Sequence, residues 1–129
     1  MTYLLDVNVL IAASWANHTN HDEAQAWLGS VLGAHSFATC PLTQLGFTRV
    51  SWQQLYARDL EEAQRALKIY ITHPRHIFVP DDLPAADLTS KGPGRLTDTY
   101  LLILAHHHRA KLATFDKAWK KNPVAEVIG

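Results

Sequence analysis

Three aspartates stand where short apolar runs stop or start. Tyr3-Leu4-Leu5 ends on Asp6, Ala113-Thr114-Phe115 ends on Asp116, and Leu96-Thr97-Asp98 opens a further apolar stretch. If the first two runs are strands of a parallel α/β sheet, Asp6 and Asp116 lie at its carboxyl edge, where such sheets bind ligands. Asp98, at a helix start, belongs to the same edge. Each acid has a bland explanation when taken alone: Asp6 begins a turn, Asp98 suits the first turn of a helix, and Asp116 is an N-cap. The joint pattern favours a site. Two carboxylates about 5 Å apart repel by ~3 kcal/mol at an effective dielectric near 20, so three together call for a cation. Hard oxygen ligands select Mg²⁺ or Mn²⁺, and no Cys/His pair has zinc spacing. A hydrated cation among aspartates activates water against a phosphodiester, so hydrolysis of RNA or DNA is the chemistry expected.

The elements that must position these acids follow from periodicity and turn signals. Tyr3–Leu5 predicts a strand and residues 8–14 a short helix. Asn20-His21-Asp22-Glu23 has the form of a capping box, with Ala24, Trp27, Leu28, Val31 and Leu32 at amphipathic spacing and Gly33 as the stop. A second strand is expected over 35–39, and Pro41 suits the first turn of a helix running to about Leu55. Asp59-Leu60-Glu61-Glu62 is another capping box, and Leu60, Ala63, Leu67 and Tyr70 mark one face of its helix. A third strand is expected at 76–79. Residues 80–96 hold three prolines and two glycines, so a loop with one helical turn is expected there. The helix over 97–109 is apolar on every side from Tyr100 to Ala105 and should be buried. A fourth strand at 111–114, a short basic helix capped by Asp116, and a fifth strand at 126–128 complete the chain. Helices alternating with short strands predict an α/β class: a central parallel sheet of four or five strands covered on both faces.

Bulk properties narrow the partners. At 129 residues, 47% apolar and 19% charged, one domain over 1–129 with a substantial core is expected. Lys plus Arg balances Asp plus Glu at twelve each, so a polyanion must meet a local basic patch rather than a global field. The single Cys40 excludes an internal disulfide and fits a buried structural thiol in a reducing compartment. No apolar run nears the ~20 residues that span a bilayer. No targeting segment and a cytoplasmic location are expected.

The same residues carry a resemblance. The run Leu4-Leu5-Asp6-Val7-Asn8-Val9-Leu10-Ile11-Ala12 resembles the opening of PIN domains, in particular of VapC toxins from toxin–antitoxin pairs. Leu96-Thr97-Asp98-Thr99-Tyr100-Leu101-Leu102 is similar to the family's third acid position, and Leu112-Ala113-Thr114-Phe115-Asp116 to its fourth. Residues 41–49 resemble the segment that carries the second acid. The resemblance spans the chain in order. It implies a three-layer α/β/α PIN-like fold and a divalent-metal-dependent endoribonuclease that forms homodimers and binds a small VapB-like antitoxin. It further implies Asp6, Asp98 and Asp116 as catalytic metal ligands, with Asn8 and Thr114 as polar neighbours. Gln44 departs from the family, where many relatives have Glu. A one-metal enzyme, a site completed by Glu23, Asp81 or Asp82, and a weakened nuclease acting by RNA or antitoxin binding all follow from that departure. Retained activity is the reading favoured.

Other residues divide between structure and function. Arg49, five positions after Gln44, pairs with an acid or contacts a phosphate. Lys117, Lys120 and Lys121 form a basic rim beside Asp116 and are candidate RNA contacts, extended by Lys91 and Arg95. His106, His107 and His108 point in different directions on a helix and do not chelate one metal together; a helix C-terminus favours their charge. His18 and His21 suit a surface role. Trp15, Trp27, Trp52 and Trp119 exceed what a small core needs, and the surplus suits a partner groove or a dimer face. A phosphoacceptor signalling domain shares length and clustered aspartates but fits poorly. It needs paired acids near the first strand, and Asp6 has Leu5 beside it.

Overall fold

The computed structural model describes residues 1–129. Strand β1 (Thr2–Leu5) leads into α1 (Val7–Ser14) and α2 (His21–Val31); β2 (Ser36–Thr39) leads into α3 (Pro41–Gln53) and α4 (Leu60–Ile71). After β3 (His76–Phe78) a long segment ends in a 3-10 turn at Pro93–Arg95 and runs directly into α5 (Leu96–His107). Strand β4 (Lys111–Thr114), a second 3-10 turn at Lys117–Trp119 and β5 (Ala125–Val127) close the fold. All five strands are parallel, in the order β3-β2-β1-β4-β5.

The period-2 geometry of the strands builds two cores. Leu5, Phe37 and Ala113 face α1–α4, whereas Leu4, Ala38 and Leu112 face α5. The larger core holds Val9, Leu10, Leu28, Phe47 and Leu67; the smaller holds Leu101, Leu104 and Ala105. The layers are therefore helices, sheet and helix. Helices α1 and α3 approach closely at Gly46, where a Cβ would come within 2.6 Å of Val7 Cγ2. Only glycine lets α3 seat against the residue that follows Asp6.

Local signals were partly overridden. Half of the Asp59 box forms: Asp59 Oδ1 accepts from the Glu62 amide at 2.8 Å, but the Glu62 carboxylate accepts from the Arg58 amide at 3.2 Å rather than from that of Asp59. The box at Asn20 does not form: the Asn20 side chain makes no capping bond, the Asn20 backbone amide donates to His18 Nδ1 at 2.9 Å, and Glu23 lies against Gly129. Gly33 is not in the left-handed region; α2 ends through right-handed Leu32. Helix α5 is not buried all round, since Ile103 is 43% exposed on the face turned away from the sheet. Leu101, Leu102, Leu104 and Ala105 carry its packing.

Candidate active site

The order of the sheet reverses at β1, whose neighbours are β2 and β4. Ligands of open α/β sheets bind at the carboxyl ends of strands flanking such a reversal. Asp6 follows β1 there and Asp116 follows β4, one residue beyond Phe115. Asp98 lies in the first turn of α5, the helix that carries the chain from β3 across to β4.

Asp6 is 5% exposed and tightly held. Its amide donates to the Ala113 carbonyl of β4 at 3.1 Å, and its Oδ1 accepts from the Val9 amide at 2.9 Å, capping α1. Burial pushes its carboxyl up to about 6; the Thr114 hydroxyl and the Val9 and Asn8 amides pull it back, while the charge of Asp98 raises it further. Asp98 is also raised, first by burial and then by the charge of Asp116, with Arg95 and the Trp119 indole opposing. The three acids are thus chained electrostatically: Asp6 feels Asp98, and Asp98 feels Asp116. Thr114 ties the two ends together, since its Oγ1 also accepts the Asp116 amide at 3.0 Å. Asp116 caps the following 3-10 turn through the Ala118 amide at 2.9 Å, and Arg95 Nη1 reaches its Oδ2 at 3.4 Å.

A family model for the PIN domain matches residues 3–124 of this chain. The chain belongs to the PIN domain family. Ribonuclease VapC39 of Mycobacterium tuberculosis is 37% identical over 139 residues, covering 99% of this chain and 98% of its own length. Ribonuclease VapC29 of the same organism is 39% identical over 123 residues, covering 90% of this chain and 86% of itself. A solved structure of VapBC2 from Rickettsia felis, bound to a DNA fragment from its promoter, matches with a TM-score of 0.66 at 16% identity. It covers 98% of this chain and 97% of that one, a likeness of fold.

Against this PIN frame, the remaining expected residues fall into distinct places. Asn8 is exposed and acts on Asp6 through its backbone amide. Gln44 is half-buried, and its Nε2 donates to Thr39 Oγ1 at 3.0 Å, at the end of the strand neighbouring β1. Two of the three acids considered as substitutes for the missing Glu are engaged elsewhere, and the third lies by the last residue of the chain. Asp81 Oδ2 accepts the Leu42 amide at 3.0 Å, Asp82 Oδ1 lies 2.8 Å from His108 Nε2, and Glu23 lies at Gly129. Arg49 bonds along its own helix to Gln53 Oε1 at 2.9 Å. Lys117, Lys120 and Lys121 are exposed beside Asp116. Cys40 is fully buried and desolvation raises its thiol pKa, in keeping with a structural role.

Two features were not visible in the sequence. His107 and His108 do gather with Asp82, their ligand atoms within 4.8 Å of one another, at the far end of α5 from Asp98. Trp119, read there only as one surplus tryptophan, has its Nε1 buried without a hydrogen-bond partner and near enough to Asp98 to favour the ionised carboxyl. The Gly/Pro-rich segment conceals its own role in the same way, because nothing in it announces that Arg95 returns to Asp116.

Proposed function

We propose that this PIN domain is a divalent-metal-dependent endoribonuclease, the cytoplasmic toxin of a toxin–antitoxin pair, restrained by a VapB-like antitoxin and acting as a homodimer. The observation that carries the reading is the chained trio Asp6, Asp98 and Asp116 at the reversal of the sheet. The names of the relatives, ribonucleases of the VapC series, support it.

By the chemistry of its donors the set suits Mg²⁺ or Mn²⁺, although the three carboxylates do not gather as tightly as Asp82, His107 and His108 do. It offers three carboxylates, raises two of them by burial and mutual repulsion, and pairs the outermost with one arginine only. Asp6, Asp98 and Asp116 would hold the ion. When bound, it supplies a Lewis acid for the phosphodiester and lowers the pKa of a water. The chain's own residues do the positioning. The Thr114 hydroxyl fixes Asp6 and the Asp116 backbone together, and the Val9 and Asn8 amides offset part of the cost of ionising the buried Asp6 carboxyl. Lys117, Lys120 and Lys121 present positive charge along the edge where an RNA backbone must lie. Gln44, neutral and tied to Thr39, adds no charge to the ion.

The test is cleavage of structured RNAs by purified protein with Mn²⁺ or Mg²⁺, beside EDTA and Asp98→Asn controls. Cleavage that needs both the metal and Asp98 is the expected result. A wild type inactive on varied RNAs, with a Gln44→Glu variant that cuts, would instead make this a weakened member that works by binding.

A further inference from the structure

Beside Asp98 and Asp116 lies a cavity of about 730 Å³, walled by the Gly/Pro-rich segment on one side and the turn after Asp116 on the other. Ser90, Lys91, Arg95, Thr99 and Trp119 line it. The lining contains two cations and no carboxylate, so an occupant with negative charge is favoured. One wall is also flat. The Arg95 guanidinium lies over the Trp119 indole, 5.7 Å from its centroid, and the same guanidinium reaches Asp116 Oδ2. Indole and guanidinium planes are the two surfaces on which proteins stack unpaired bases. The volume lies within the range of ordinary small-ligand pockets, enough for one nucleotide.

We propose that this cavity seats the nucleotide flanking the scissile phosphate, its base against Trp119 and Arg95 and its phosphate beside Lys91. Charge alone would suit any anion; the flat wall selects one that carries a ring. Position selects further, because Arg95 spans from the cavity wall to one of the three acids, so the occupant and the scissile phosphate are neighbours on one strand. Stacking tolerates every base, so the site grips an unpaired nucleotide in a loop or bulge rather than one locked in a duplex. The inference rests on the ribonuclease reading and adds to it a recognition element outside the aspartates.

The experiment uses an RNA oligonucleotide that the full chain cuts at one bond, remade with an abasic ribose at each of the two positions flanking that bond. Wild type, Trp119→Phe and Trp119→Leu are compared by kcat/KM. Removing the base at one of the two positions is expected to cost wild type about tenfold. Trp119→Leu should lose about the same on intact RNA and nothing more on that abasic RNA, while Trp119→Phe keeps most of the activity. Equal losses for Trp119→Leu on intact and abasic RNA would overturn the proposal. So would wild-type indifference to both abasic positions, an outcome that needs no variant to fold. If no RNA is cut, the same comparison is made on Kd, from the fluorescence anisotropy of labelled intact and abasic oligonucleotides. Binding that weakens with either the base or the indole, and not additively, would keep the pocket while the nuclease reading fails. Binding indifferent to both, or none at all, would end the pocket as well.

Discussion

The side-chain amide of Gln44 and the hydroxyl of Thr39 are joined at 3.0 Å, and the same hydroxyl lies 2.7 Å from His76 Nε2. Thr39, at the centre of this short chain, is fully buried, while Gln44 and His76 are half-buried. The Gln44 Nε2 can only donate, so Thr39 accepts from it, which leaves the Thr39 proton free for Nε2 of a neutral His76. Burial, and next the charge of His73, hold the His76 pKa below its usual value, which agrees with that assignment. Gln44 is therefore fitted to its neighbours, not merely a Glu that has lost its charge. A Gln44→Glu carboxylate can only accept, so Thr39 must turn to it and His76 must supply a proton on Nε2. The expected outcome is a rise in the His76 pKa, followed by NMR titration of its ring protons. Unchanged titration would show that the chain does not operate. Thr39→Val should cost about 1–3 kcal/mol in urea unfolding by leaving both partners unpaired.

Gly46 tests how the helix packing reaches the site. An alanine there would normally gain about 1 kcal/mol of helix propensity. Its Cβ, however, would meet Val7 Cγ2 at 2.6 Å, and Val7 adjoins Asp6 at the start of α1. The expected result for Gly46→Ala is a net loss of about 1–2 kcal/mol with weakened divalent-cation binding. Thermal melts and Mn²⁺ titration of the same sample measure both. A variant as stable as wild type with intact metal binding would mean that α1 shifts without disturbing Asp6.

What the sequence made legible were local patterns repeated along the chain. Strands ending on acids, Pro41 opening α3 and Asp59 capping α4 each depend on neighbours in sequence, and each was found in place. In the Asn20 box, the backbone amide that Glu23 would have bound goes to His18 Nδ1 instead. Helix α5 is less buried than its composition suggests, because apolar composition says nothing of which layer covers a helix, and α5 is the one helix of the smaller core. Within the site, the acids were readable from their places at element ends. The contacts that tune them were not: Arg95 to Asp116 spans 21 residues, Thr39 to His76 spans 37, and neither leaves a motif. The Asp82–His108 bond, 26 residues apart, escaped for the same reason.

In the proposed metal site, Arg95 is a competitor for the cation. It lies 3.4 Å from Asp116 and opposes the rise in the Asp98 pKa, so the acids share its charge. Arg95→Gln should therefore tighten Mn²⁺ binding by about threefold at low salt, with a smaller gain at high salt where the half-exposed guanidinium is screened. The same change should weaken RNA binding, because it removes a cation from the edge along which the RNA backbone is proposed to lie. Calorimetric Mn²⁺ titration at two ionic strengths reads the first effect, and anisotropy with labelled RNA the second. A change of the same sign in both affinities would contradict the assignment.

Asp6 sets the pH dependence of the metal-free protein. Its folded pKa of about 6 lies above the ordinary carboxylate value of 3.8, so the fold holds its proton more tightly than the unfolded chain does. Between those two values the native state binds more protons, and stability must fall as pH rises. Above pH 6 the buried charge costs on the order of 2–3 kcal/mol, the full free energy of the shift. Metal-free wild type is thus expected to be more stable at pH 5 than at pH 7.5 on this group's account, and Asp6→Asn should flatten the profile and melt higher at pH 7.5. Divalent cation should reverse the order for wild type, since an ion bound to the carboxylates stabilises their charged form, and should leave Asp6→Asn nearly unmoved. Melting curves of both proteins with EDTA and with Mn²⁺ across pH 4.5–8 decide the matter. If Asp6→Asn melts below wild type in EDTA at pH 7.5, the ionised carboxylate stabilises the fold despite its burial, and the burial argument fails.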